Sequence, residues 1–316
     1  MKLITYSDIV SLNISPSTCY QWASEMIAKK DDALLPPKIS IKPVSGTFCN
    51  VMPCMIGNPP SMGGVKVVTR YPDRAPSLDS TILLMDAASG EFLALMDGNW
   101  VTTMRTGAVA AHSIRLLAKP GYQTLGIIGL GNVSRAALLI LAETESNKEF
   151  TIKLLRYKDQ ELSFMERFAA YPNLHFELVD SYRDTVRGSD VVISGVTYAP
   201  EDFCEDDDFD EGVLVVPIHT LGFTNCDLFF DKIYGDDYGH VCGFKNFAKF
   251  KSFAEVSAVV NNTAPGRESD RERILAYNVG VSTHDIYFAT QLYQLSKNNP
   301  KIKEFSLNGP ADKFWI

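Results

Sequence analysis

The sequence predicts an α/β fold in which a doubly wound parallel sheet is joined to a second, α+β part. Three observations carry that reading. From residue 121 onward, short apolar runs alternate with helical segments, so that 124–128, 151–156, 174–178, 190–194 and 213–216 read as strands. Gln123-Thr-Leu-Gly-Ile-Ile-Gly-Leu-Gly-Asn-Val-Ser-Arg135 runs from a buried strand through a glycine turn into an apolar helix. Residues 1–118, by contrast, mix helix signals with alternating strands broken by Gly and Pro.

In chain order, Ser15-Pro-Ser-Thr starts a helix that carries Tyr20, Trp22, Ala23 and Met26 on one stripe. Beyond the turn at Pro36-Pro37, segments 38–43, 47–55 and 64–70 read as strands. Segments 80–85 and 91–96 form a hairpin through Asp86-Ala-Ala-Ser-Gly90. A helix over about 101–117 leads to Lys119-Pro-Gly, a domain boundary by composition. In the second half, 161–170 has helical periodicity, and 280–295 reads as a closing helix.

The glycine turn is the most informative stretch. Gly129 and Gly131 allow a tight turn and close approach of backbone to a pyrophosphate. The N–H groups of Asn132, Val133 and Ser134 then open a helix whose N-terminus favours an anion. This is a Rossmann dinucleotide fingerprint in which Ser134 replaces the third glycine. A tight turn with no ligand is the alternative.

Composition narrows the classes. The 316 residues are 46% hydrophobic and 22% charged, as in an ordinary globular protein. A net charge of -8 and a pI near 5.2 argue against a nucleic-acid or anionic-membrane surface. There is no eighteen-residue apolar run and no apolar signal core at the N-terminus, so the expected location is the cytoplasm. The six cysteines form no Cys-x-x-Cys pair and read as free, mostly buried thiols. The five histidines show no metal-ligand spacing, and no metal site is expected. The acidic run 205–211 reads as a solvated loop or helix start, its acids being consecutive rather than spaced as ligands.

Two further segments hold candidate chemistry. Lys66 lies among Val65, Val67 and Val68, where an ammonium either snorkels outward or faces a cavity holding an anion. Arg105 sits early in an apolar helix near Thr102, Thr103 and Thr106, a placement that suits a bidentate grip on a carboxylate. Each alone also fits a structural ion pair. In order, the chain presents Gly64-Val-Lys66, Met96-Asp-Gly98, Thr102-Thr-Met-Arg-Thr-Gly-Ala108, Gly129-Leu-Gly131, Pro265-Gly-Arg267 and Gly280-Val-Ser-Thr-His-Asp285. This series resembles the ornithine cyclodeaminase/mu-crystallin family over nearly the whole chain.

The resemblance implies a Rossmann NAD(P)-binding domain at 119–279, inserted in a substrate-binding and dimerisation domain of 1–118 and 280–316. It implies that Lys66 is the active-site lysine and Arg105 the carboxylate-binding arginine. Lys38 falls where many members carry a second substrate-binding arginine, and Ser77 where a substrate-contacting threonine stands. Thr106 would face the cofactor. The segment Ile218-His-Thr-Leu-Gly-Phe-Thr-Asn-Cys-Asp-Leu228 departs from the cyclodeaminase pattern, with Leu221 in the place of the acid-base aspartate and Asp227 at another acidic position. His219 then either stands in for the missing acid or is a packed core histidine.

For the cofactor, Arg156 and Lys158 end the second strand of the nucleotide domain with no acid before Asp159. Basic groups there suit the 2′-phosphate of NADP, and a solvated strand end with NAD fits equally. The expected activity is hydride transfer between NAD(P) and the α-carbon of an amino acid or its imine, in a homodimer. A cyclodeaminase forming proline from ornithine, a mu-crystallin-like NADP-binding protein and a non-catalytic Rossmann module are the alternatives.

Overall fold

A computed structural model describes residues 1–197, 199, 201–219 and 221–307; residues 308–316 of the predicted first domain lie outside the described residues. Strand β1 (Lys2–Ile4) and helix α1 (Tyr6–Ser11) open the chain. Helix α2 (Pro16–Ala28) starts where Ser15 predicts, the Ser15 Oγ accepting the Thr18 N–H at 3.0 Å and Pro16 occupying the first turn. Its buried face comprises Cys19, Trp22, Ala23, Met26 and Ile27.

Strands β2 (Ile39–Ile41), β3 (Phe48–Ile56), β4 (Met62–Arg70), β5 (Leu78–Asp86) and β6 (Phe92–Asp97) follow as an antiparallel run. The hairpin between β5 and β6 turns on Asp86, whose Oδ1 accepts the N–H groups of Ala88 and Ser89 while Gly90 takes φ +75°. Helix α3 (Asn99–Leu117) then enters the interior, with every residue from Arg105 to Ile114 buried.

The second sheet begins at β7 (Thr124–Ile128), within the predicted bounds. It continues through α4 (Asn132–Thr144), β8 (Phe150–Leu155), α5 (Gln160–Arg167), β9 (Leu174–Val179), α6 (Tyr182–Val186), β10 (Val191–Ser194) and β11 (Leu214–Pro217). Three strands follow that the sequence reading missed: β12 (Lys232–Gly235), β13 (Phe253–Glu255) and β14 (Ile274–Tyr277), with the short helices α7 (Tyr238–Val241) and α8 (Val256–Val260) beside them. All eight strands pair in parallel, in the order β13-β12-β14-β11-β10-β7-β8-β9.

Helix α9 (Ser282–Ser296) returns to the first sheet and packs on β3, β4 and β5, and β15 (Lys303–Glu304) pairs with β1. That sheet runs β15-β1-β6-β5-β4-β3-β2, so the first and last strands of the described residues pair in it. One correction concerns the acidic run. Asp208 is not solvated: it is 1% exposed, closes a 3₁₀ turn at Asp206–Asp208, and receives Arg183 at 2.9 Å and Arg187 at 2.7 Å. Two arginines compensate the buried charge. The cysteines are free as expected, with Cys19, Cys54, Cys204 and Cys226 buried.

Candidate active site

The order of the second sheet reverses between β7 and β10, and a ligand crevice belongs at the carboxyl ends of those strands. The glycine turn lies there. Gly129 has φ +82°, and a Cβ on it would stand 2.8 Å from Val196 and 2.9 Å from the Gly195 backbone. Only glycine fits. A Cβ on Gly131 would meet nothing within 4 Å, so open space lies over the start of α4. Gly131 is the N-cap and no side chain caps the helix, which leaves first-turn N–H groups free for an anion. The turn therefore fits a dinucleotide pyrophosphate.

Ser134 is fully buried, and its hydroxyl turns inward to donate to the Gly129 carbonyl at 2.6 Å. Gly195 opposite makes room, since a Cβ there would come within van der Waals overlap of the Ser134 Oγ. The missing third glycine is thus compensated by a glycine on the neighbouring strand end. Ser134 can offer a phosphate its backbone N–H, not its hydroxyl.

Beside the turn, α3, β4 and α9 bring three charged groups together. Asp285, fully buried on α9, receives Lys66 Nζ at 2.7 Å on one oxygen and Arg105 Nε at 2.8 Å on the other. Burial drives the Lys66 pKa down to about 7; Arg105 pushes the same way and Asp285 opposes. Arg105 spends Nε on Asp285, and its terminal nitrogens face Gly280, where a Cβ would lie 2.7 Å from Nη1. Gly280 has φ +80° and is fixed by its N–H donating to Asp236 at 2.7 Å. Burial pushes the Asp236 carboxyl up, against the pull of the Gly280 N–H and Arg105. Lys38 belongs to the same cluster. Its pKa is lowered by burial and by Arg105, against the opposing charges of Asp236 and Asp285.

A groove of about 280 Å³ runs between the first sheet, the start of α3 and the nucleotide turn. Val68, Ser77, Leu78 and Ser80 line it from the sheet, Thr102 and Thr103 from α3, and Gly131, Asn132 and Val133 from the turn. The structure therefore gathers Lys38, Lys66 and Arg105 in one cluster, and Ser77 with the glycine turn along one groove. Asp285 is the residue that sequence reasoning missed. It stands in the Gly280–Asp285 block that carried the resemblance, but nothing in its neighbours reveals its partners.

Other predicted residues are engaged elsewhere. Leu221 N–H donates to His219 Nδ1 at 3.2 Å, so that nitrogen carries no proton and Nε2–H donates to Ser194 Oγ at 2.6 Å. Burial lowers the His219 pKa to about 4, and the ring is neutral. Asp227 is buried and accepts Asn246 Nδ2 at 2.8 Å. Among the described residues, neither bonds Lys66, Arg105 or Asp285. Thr106 donates its hydroxyl to the Thr102 carbonyl at 2.6 Å. Arg156 is about half exposed and pairs with Asp180 at 2.9 Å, at the ends of β8 and β9.

The sequence pattern of the ornithine cyclodeaminase/mu-crystallin family matches residues 8–299. The chain belongs to that family. It is 25% identical over 283 residues to N-((2S)-2-amino-2-carboxyethyl)-L-glutamate dehydrogenase of Staphylococcus aureus, covering 82% of this chain and 83% of the relative. It is 32% identical over 177 residues to mouse ketimine reductase mu-crystallin, 54% of each protein. Its fold matches that of Thermococcus litoralis Delta(1)-pyrroline-2-carboxylate reductase in complex with NADH and L-proline, with a TM-score of 0.83 and 23% identity over 96% of this chain and all of the other.

Proposed function

We propose that this chain is an NAD(P)-dependent oxidoreductase acting at the α-carbon of an amino acid or its imine, with substrate-binding residues in 1–118 and from 280 on, and cofactor-binding residues in 119–279. The observation that carries the reading is the buried Lys66–Asp285–Arg105 cluster beside the open turn at Gly131. The relatives named as a dehydrogenase and a ketimine reductase support it. The bound dinucleotide supplies or accepts the hydride, which no side chain can do.

Arg105, with Nε held by Asp285, presents its terminal nitrogens to the substrate α-carboxylate and so orients the α-carbon. Lys38 adds a second positive charge. Lys66, with a pKa near 7, exchanges a proton with the substrate nitrogen. His219 is less suited to that task, because its Nδ1 lone pair is already taken by Leu221 N–H. Leu221, half exposed, offers no acid-base group where a cyclodeaminase needs one, which favours the dehydrogenase or reductase over ornithine cyclisation. Arg156 and Lys158 at the end of β8 suit the 2′-phosphate of NADP once Arg156 leaves Asp180, and the exposed Ile39, Ile41, Val67 and Phe92 of the first sheet favour a homodimer.

Nicotinamide absorbance, followed over a panel of amino acids and of keto acids with amines, tests the reading. Lys66→Met is expected to lower turnover more than affinity for the substrate so found. Arg105→Lys keeps the charge but loses the planar fork, and is expected to raise KM by an amount equivalent to about 1.5–3 kcal/mol. Full turnover by both variants would move the site elsewhere. Cofactor binding without hydride transfer on any compound would favour a binding protein.

A further inference from the structure

Arg70 ends β4 and lies on the same side of the sheet as Lys66 and Val68, by the two-residue period of the strand. It is paired directly with Leu78 on β5, and Leu78, Ser77 and Val68 line the groove. The side chain is 9% exposed. It makes one hydrogen bond, from Nη1 to the Gly46 carbonyl, and its Nε is fully enclosed without an acceptor. No carboxylate pairs with it among the described residues.

Arg105, equally enclosed, has Asp285 as its counter-ion, whereas Arg267, which also keeps an enclosed Nη2 without an acceptor, donates to three carbonyls, those of Leu117, Ser269 and Glu272. On the Arg70 side of the sheet, Asn50 is paired directly with Val68 and likewise keeps an enclosed Oδ1 without a partner. Burying a guanidinium without a counter-ion is costly, and the described residues provide none here.

We infer that Arg70 binds an oxyanion of the bound reactants at the outer end of the groove. Two sources have the required chemistry: the second carboxylate of a dicarboxylic amino acid or imine, and the pyrophosphate of the dinucleotide. The inference rests on the proposed location of the site, and the test separates the two.

Arg70→Gln retains a donor for the Gly46 carbonyl and removes the charge, whereas Arg70→Lys retains the charge. Each variant and the unaltered protein are titrated calorimetrically with inorganic pyrophosphate, NADP, succinate and glutarate. A tenfold or greater loss in Arg70→Gln confined to pyrophosphate and NADP, partly restored in Arg70→Lys, assigns the oxyanion to the cofactor. The same loss confined to the dicarboxylates assigns it to the substrate. Unchanged affinity for all four, or binding of none by the unaltered protein, overturns the inference. If Arg70→Gln does not fold, Arg70→Lys decides: loss of the fork is expected to weaken one class at least threefold, and equal affinity overturns the inference. Failure of the unaltered protein to bind NADP while it binds pyrophosphate or a dicarboxylate would count against the proposed function but not against Arg70.

Discussion

A lysine with no exposed surface keeps a proton only if something nearby favours the charge. At Lys66 burial and Arg105 disfavour it, and Asp285 favours it. Replacing Asp285 with Asn removes the one supporting charge, so the Lys66 pKa must fall below about 7. With Lys66 as the proposed proton donor to the substrate nitrogen in the reductive direction, rate is lost as pH rises through its pKa. The expected outcome for Asp285→Asn is therefore a basic limb of kcat/KM moved to lower pH, together with a raised KM, because Arg105 Nε loses its acceptor. An unshifted limb would show that the titrating group is not Lys66. Lys66 and Arg105 stand out in the sequence as charges inside an apolar strand and helix, which alone fits a structural ion pair; the family resemblance gives them their expected roles. Asp285 does not stand out, because one of its partners lies 180 residues earlier in the chain and only the packing of α9 on the first sheet makes them neighbours.

At the level of elements, a glycine inside α3 and the glycine that precedes α4 do opposite work. Gly107 on α3 faces Ala136 and Ala137 on α4, and a Cβ there would lie 2.6 Å from the Ala136 side chain. This close approach sets Arg105 beside the nucleotide turn. Gly107→Val is expected to force α3 from α4, lowering stability by about 1–3 kcal/mol and turnover along with it. Gly131 has no neighbour to strike, so Gly131→Val is expected to leave the melting temperature unchanged while NAD(P) affinity falls in calorimetric titration. Wild-type affinity in that variant would remove the assignment of the turn. Local pattern was a good guide where a strand is bounded by turn residues and followed by a long helix, as with β7 and α4. It failed for β12, β13 and β14, which are three or four residues long and separated by irregular segments and helices of at most five residues. Their strand character comes from parallel pairing with one another and with β11.

For the whole molecule, the decisive feature is the face of the first sheet turned away from α9. Pairing aligns Ile39, Val51, Val67 and Thr81 in one row, and Pro53, Val65, Leu83 and Leu95 in a neighbouring row on the same side. Ile39 is 60% exposed, Ile41 55% and Phe92 52%, and Val67 lies near the middle at 36%. Monomers seldom leave so continuous an apolar face in water, and a second copy related by a twofold axis would cover it. Sedimentation at micromolar concentration is expected to give twice the 35.0 kDa chain mass. In an interface related by a twofold axis, one substitution acts twice, so Val67→Glu buries two carboxylates near each other and should yield the single-chain mass. Val67 faces away from the cluster and the glycine turn, so cofactor affinity should survive dissociation. A Val67→Glu protein that still sediments as a dimer would place the interface on another surface, and a monomeric unaltered chain would leave this apolar face without its proposed cover.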